Sequence, residues 1–199
     1  MTSNSLSKNK KLLRNEMRQQ RSQLSEEEIN QTAWFINHQL WQLPELQRAN
    51  RIGAYIGVNG EADCGEIFRS SWIRKKSTYV PILRKNRMLF AKLTSKTKLQ
   101  NNHFGIPEPK VLLRDALRAK NLDVVLLPLV AFDLNGNRLG MGGGFYDRTL
   151  EQLRFRKYYR RPLLIGLAYD FQQTDAIHKE PWDIPLNALI TESRILRFE

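Results

Sequence analysis

Residues 123–127, Asp-Val-Val-Leu-Leu, are apolar without alternation, and the turn 133–137 and the glycine run Gly140-Met-Gly-Gly-Gly144 follow. A short apolar run with no polar face reads as a strand covered on both sides, which is where parallel sheets place their interior strands. Residues 163–168 read the same way, and 187–191 give a further strand. A chain with several such strands needs two layers of cover, so it folds around a sheet with helices above and below.

The remaining segments supply those helices. Leu6, Leu13, Met17 and Leu24 fall at helical spacing, so the N-terminal segment reads as an amphipathic helix. Ser25-Glu-Glu-Glu28 has the pattern of a capping box opening a second helix, with Ile29, Ala33, Ile36 and Leu40 inward and Pro44 ending it. Residues 51–56 alternate Ile52, Ala54 and Ile56 as a strand, and the loop 57–62 follows. Asp63 with Glu66 marks another helix start, running to about Lys75. Residues 77–83 and 88–93, separated by 84–87, form a hairpin. Residues 102–109 read as a loop, 114–120 as a short helix, and 145–153 as a helix after the glycines. The expected architecture is a single α/β domain over residues 1–199. Its mostly parallel central sheet is flanked by helices on both faces, Rossmann-like and three-layered. Ligands then bind in loops beyond the strand C-termini.

Composition narrows the setting. The chain has 199 residues, enough for one core, and its one cysteine, Cys64, excludes an intramolecular disulfide or a cysteine-built zinc site. The N-terminus has no apolar segment of the secretory kind and no run long enough to span a bilayer, so a cytoplasmic protein is expected, with no membrane partner. Net charge is +12, from 32 basic against 20 acidic residues. Residues 69–98 hold ten Lys or Arg and no acid, and 154–161 hold five with aromatics between them. Such fields attract polyanions, whether nucleic acid, nucleotide or polycarboxylate, although a solvated surface has the same composition.

The glycine run carries chemistry by its place after a buried strand and before a helix. Glycines let backbone N–H groups approach an anion, and the helix start adds its dipole. The spacing lacks the Gly-Lys-Ser/Thr of a P-loop and the third glycine of the dinucleotide fingerprint. A tightly packed turn also explains glycines. Arg138 before the run, and Tyr146, Asp147 and Arg148 after it, favour a nucleotide phosphate.

RLGMGGGFYDRTL resembles the signature of the 5-formyltetrahydrofolate cyclo-ligase family. The resemblance extends along the chain through Lys10 and Arg14, Ile56 and Glu61, FGIPEP at 104–109, LLPLVAFDLNGN before the glycines, and WDIPLN at 182–187. It implies an enzyme that converts 5-formyltetrahydrofolate and ATP to 5,10-methenyltetrahydrofolate, ADP and phosphate, using Mg²⁺. The formyl oxygen attacks the γ-phosphorus, N10 closes the resulting imidate phosphate, and phosphate departs. Every nucleophile belongs to the substrate, so the protein needs no Ser-His-Asp or Cys-His set. It has to align two anionic ligands and stabilise the transferring phosphoryl group.

The resemblance assigns ATP to Lys10, Arg14, Arg138, Leu139, Gly140, Met141, Gly142, Gly143, Gly144, Phe145 and Tyr146. It assigns the folate to Ile56, Glu61, Phe104, Met141 and Phe145, and Mg²⁺ to Asp147 and Asp183. Glu61, Arg138 and Tyr146 stand nearest the chemistry. Read from the residues alone, Lys10, Arg14, Arg18 and Arg21 are one basic helix stripe, Glu61 is a turn cap, and Ile56 is core. Two departures stand out. Some relatives have a lysine where this chain has Gly143, and Arg148 is the candidate to replace its charge. A tryptophan of the mid-chain loop is Phe104 here, which keeps a stacking face and loses an N–H donor. His38, His103 and His178 show no ligand spacing and read as structural.

Two rivals belong to other classes. An RNA-binding protein would use the basic patches with Tyr158 and Tyr159, but no RRM, KH or helix-turn-helix pattern is visible. A sugar-phosphate isomerase or CoA-transferase relative would share the sheet and leave Lys10, Arg14 and Asp147 without a common purpose. The expected protein is a monomer acting on small molecules, with no nucleic-acid partner.

Overall fold

A computed structural model describes residues 3–84, 87–155 and 161–198 of the chain. Two features expected from the sequence, the hairpin tip at Lys85 and Asn86 and the basic aromatic stretch containing Tyr158 and Tyr159, lie outside the described residues. The helices are α1 (Ser3–Ser22), α2 (Glu26–Leu40), α3 (Pro44–Arg48), α4 (Gly65–Ile73) and α5 (Phe145–Thr149). The strands are β1 (Arg51–Gly53), β2 (Ser77–Arg84), β3 (Arg87–Leu93), β4 (Leu99–Asn101), β5 (Pro107–Pro109), β6 (Val124–Pro128), β7 (Ala131–Phe132), β8 (Arg138–Leu139), β9 (Leu163–Leu167), β10 (Ala188–Ile190) and β11 (Ile195–Arg197).

Local chemistry sets the helix starts. The Ser25 hydroxyl accepts from Glu28 N at 3.2 Å while the Glu28 carboxylate accepts from Ser25 N at 2.8 Å, the reciprocal box that satisfies two free donors of α2. Asp63 Oδ2 accepts from Gly65 N at 2.7 Å ahead of α4. Pro44 does more than end α2: it occupies the first turn of α3, where its missing N–H costs nothing.

The central sheet has the order β11-β10-β9-β6-β1-β2-β3. Pairing is parallel from β2 through β1, β6 and β9 to β10, and antiparallel only at β3 and β11 on the edges. The mostly parallel α/β fold is therefore present. The apolar run of β6 is explained by its two faces. Val124 and Leu126 enter a cluster with Ile36, Leu40, Leu46 and Ile67 from α2, α3 and α4. Val125 and Leu127 enter another with Phe90, Leu122, Leu150 and Leu153. Leu126 is fully buried, so truncating it to alanine would cost about 2–5 kcal/mol.

Several segments differ from expectation. The strand expected over 51–56 is regular only at Arg51–Gly53: Ala54 N still donates to Tyr79 O at 2.8 Å, and the chain beyond leaves the sheet toward the loop 57–62. The loop at 102–109 is gripped by the small antiparallel pair β4–β5. The helix expected at 114–120 is two 3-10 turns, Leu113–Asp115 and Ala119–Asn121. The helix after the glycines ends at Thr149 and gives way to a 3-10 turn, Glu151–Phe155. The second face of the sheet is thus covered more by short turns and coil than by long helices.

Candidate active site

Among the described residues, a cleft of about 920 Å³ opens at the C-terminal ends of the parallel strands, between the loop after β1, the β4–β5 loop, the glycine run and the N-terminal helix. It is lined by every site residue expected from the sequence: Lys10, Arg14, Ile56, Glu61, Phe104, Arg138, the whole segment 139–146, Asp147 and Asp183.

The turn before the glycine run is built by one carboxylate. Asp133 is 1% exposed and accepts from Asn135 N, Asn137 N, Asn137 Nδ2 and Ile177 N at 2.9–3.0 Å. That knot closes the β7–β8 hairpin and sends the chain into the cleft at Arg138. Met17 of α1 packs with Val130, Ala131 and Leu139 of the same hairpin and with Ile177, whose N–H Asp133 accepts. The basic face of α1 is thereby laid over the glycines. Arg14 Nε donates to Gly140 O at 2.8 Å, and Lys10 Nζ pairs with Glu180 at 3.0 Å.

Three guanidinium groups surround the run, each differently engaged. Gly142 has φ +100°, and a Cβ there would stand 3.6 Å from Arg14 Cζ. Arg148 Nη2 donates to Gly143 O at 2.7 Å, and its guanidinium lies 5.1 Å from the centre of the Phe145 ring. A cation therefore does stand beside Gly143, where relatives are expected to hold a lysine. Arg138, whose side chain is only 6% exposed, donates to Asp147 Oδ1 at 2.6 Å and to Ile184 O. It braces the loop that carries Asp183.

Asp147 and Asp183 both line the cleft next to the glycines. Asp183 Oδ2 accepts from Glu180 N at 2.9 Å, closing the turn that holds Glu180 toward Lys10. Among the described residues no three His, Cys, Asp or Glu side chains gather as a metal cage. Two carboxylates beside the glycine run are a donor set that suits Mg²⁺, an ion that commonly takes its other ligands from phosphates and water.

At the other end of the cleft, Tyr55 and Ile56 lead into the loop 57–62. Tyr55 Oη donates to Ala62 O at 2.7 Å, and Glu61 Oε2 accepts from Val58 N at 3.2 Å. Burial pushes the Glu61 carboxyl up, against the Val58 hydrogen bond and the Arg21 charge. Burial also pushes up the Tyr146 phenol, with the Glu61 and Cys64 charges adding to it. Ile56 is half-buried and packs against the core while also lining the cleft. Phe104 is exposed at the rim, its ring edge-on to Phe145 at 6.1 Å.

Two residues lining the cleft were given no role from the sequence. Glu180 meets Lys10 across 170 residues of chain. Glu108 is 8% exposed and accepts from Leu83 N at 2.9 Å and Asn102 Nδ2 at 2.7 Å, fixing the loop that presents Phe104. The basic stretch 69–98 proves partly structural, since Lys76 donates to Gln47 O and Ala49 O and Arg74 lies 4.4 Å from the centre of the Trp41 ring. Among the described residues no helix is long and apolar enough to cross a membrane.

Comparison with known proteins agrees with this geometry. The model of the 5-formyltetrahydrofolate cyclo-ligase family matches residues 6–192. The 5-formyltetrahydrofolate cyclo-ligase of Haemophilus influenzae is 37% identical over 177 residues, covering 87% of this chain and 92% of that one. That of Escherichia coli is 35% identical over 182 residues, covering 90% and 98%. The solution structure of Aquifex aeolicus 5,10-methenyltetrahydrofolate synthetase superposes with a TM-score of 0.80 at 31% identity, covering 94% of this chain and 92% of that one. With a cleft assembled from the same ordered motifs and a match along nearly its whole length, this chain belongs to the 5-formyltetrahydrofolate cyclo-ligase family.

Proposed function

We propose that this chain converts 5-formyltetrahydrofolate and ATP to 5,10-methenyltetrahydrofolate, ADP and phosphate. One observation carries the reading: a single cleft holds a glycine run flanked by cations at one end and a half-buried carboxylate, Glu61, at the other. That arrangement suits in-line transfer between two bound ligands.

In this reading the N–H groups of 140–144 and the cations Lys10, Arg14 and Arg148 receive the ATP phosphates, and Tyr146 packs beside the nucleotide. Arg138 holds the loop frame through Asp147. Ile56, Met141, Phe104 and Phe145 enclose the pterin, and Glu61 accepts a hydrogen bond from it. The formyl oxygen then lies in line with the γ-phosphorus. Its lone pair forms the new P–O bond as the bond to ADP breaks. N10 attacks the activated carbon and gives up its proton to the departing phosphate as the C–O bond breaks. The apolar rim excludes water that would compete for the imidate phosphate. Asp147 and Asp183 would hold Mg²⁺, which when bound neutralises charge on the phosphate oxygens. Holding reactants in line can account for roughly 7–11 kcal/mol of barrier, so a protein without a nucleophile of its own suffices.

The reading carries a cytoplasmic monomer that acts on small molecules and needs no nucleic-acid partner. The test is spectroscopic: absorbance of 5-formyltetrahydrofolate should fall and that of the methenyl product rise, only with both ATP and Mg²⁺. No product under those conditions, with the protein folded, would overturn it.

A further inference from the structure

Arg21, in the last turn of α1, is a charge buried away from solvent. It is 1% exposed, and none of its three guanidinium nitrogens finds a hydrogen-bond partner among the described residues. A buried guanidinium with no hydrogen-bond partner costs several kcal/mol, and charges perturbed in this way concentrate at functional sites. Its surroundings indicate which. Gly60, at the tip of the loop 57–62, sits directly on Arg21: a Cβ there would lie 2.9 Å from the Arg21 carbonyl oxygen. The acid that most favours the charged Arg21 is Glu61, with the phenols of Tyr55 and Tyr169 following.

The groups around Glu61 leave Arg21 a specific task. Tyr55, from the end of β1, Cys64, at the start of α4, and Tyr146, in α5, all titrate far above neutrality because burial opposes their ionisation. Tyr169, after β9, is pushed up to about 12, again chiefly by burial. All four are neutral at pH 7, and on α1 the next cation, Arg18, is exposed. Asp63 and Glu192 add negative charge on the Tyr169 side. Arg21 is the cation that offsets the half-buried Glu61 charge.

We propose that Arg21 is a positioning residue for the reaction: its side chain, buried where Gly60 packs against it, is the positive charge behind Glu61 and holds the loop 57–62 in place. The inference rests on the reading of Glu61 as a folate-contacting group. Glu61 is then free to exchange the Val58 N–H for the pterin without moving its loop, and α1 serves both ligands, with Lys10 and Arg14 on the nucleotide and Arg21 under the folate loop.

The experiment is a double-mutant cycle with a pH profile, using 5-formyltetrahydrofolate and saturating ATP. Arg21→Met should lower kcat/KM for the folate at least tenfold at pH 7 and move the acid limb of its pH profile upward. Melting temperature should stay unchanged or rise. Arg21→Lys should restore most of the activity and the position of the limb. In a Glu61→Gln background, Arg21→Met should change kcat/KM by less than twofold. Equal fold-losses in both backgrounds, or an unmoved limb, would overturn the proposal. If Arg21→Met does not fold, Arg21→Gln carries the same comparison with a polar, uncharged side chain. Wild-type turnover in Glu61→Gln alone would instead overturn the reading of Glu61, a distinct outcome from a silent Arg21 beside an impaired Glu61→Gln.

Discussion

The Arg138 guanidinium donates to the Asp147 carboxylate at 2.6 Å, nine residues apart, and so ties the two ends of the glycine run together. The run is presented by a frame rather than left as a loose loop. Both residues can also act on ligands, but structurally each is first the other's partner.

That pairing separates the two candidate metal aspartates by experiment. Asp147→Asn leaves Arg138, only 6% exposed on its side chain, facing a neutral amide. Stability should fall by about 1–3 kcal/mol, or about 2–10 °C for a chain of this size. Asp183→Asn keeps an oxygen for the Glu180 N–H and should melt within about 2 °C of wild type. Both should need more Mg²⁺ for half-maximal activity. Calorimetric melting and a Mg²⁺ titration check this, and wild-type metal dependence in both variants would place the ion elsewhere.

Gly142 tests the phosphate assignment. Its φ of +100° is one that L side chains rarely adopt, and a Cβ there would stand in ordinary contact with Arg14, 3.6 Å from Cζ. Gly142→Val should weaken ATP binding at least tenfold by blocking backbone approach, yet leave the fold largely intact because Gly142 is exposed. Titration calorimetry with ATP decides it, and unchanged affinity in a folded variant would remove the run from the nucleotide site.

Glu61 is raised on folding, chiefly by burial. The folded state therefore holds its proton to higher pH than the unfolded state does. The stability this contributes is full below the unfolded carboxylate range and is lost as pH rises through the folded value. Glu61→Gln escapes that loss. Its melting temperature relative to wild type should increase from about pH 4 toward neutrality and then level off, while turnover falls severely at all pH values. A turn cap would give the reverse, with lower melting temperature and normal turnover. Melting curves across pH with parallel assays separate the two.

The basic surface makes a separate prediction. If it serves small anions, binding to random RNA should vanish near physiological salt and show no sequence preference. Sequence-selective binding at that salt, read by fluorescence anisotropy, would favour the nucleic-acid alternative.

How far the sequence reveals these features depends on the range of the interactions. The β6 core strand, the α2 capping box and the glycine run were legible because each is a local pattern. Residues 114–120 and 145–153 misled, since their spacing matches a helix while packing on the sheet admits only short turns. Arg21 reads as one more residue of a solvated basic stripe. Its burial comes from the loop 57–62 folding onto it, which no spacing within α1 encodes. Glu180 and Glu108 are silent for the same reason, because their partners are supplied by distant chain.

Sequence separation in α1 also bears on how the protein is made. The helix precedes everything it binds: Gly140 lies 126 residues after Arg14, and Glu180 lies 170 after Lys10. Because domains emerge from the ribosome N-terminus first, α1 leaves the exit tunnel long before its seat exists. The nucleotide end of the cleft is then among the last parts to assemble, so a nascent chain that ends before Val130 has no seat for α1, and one still lacking Glu180 leaves Lys10 without its partner.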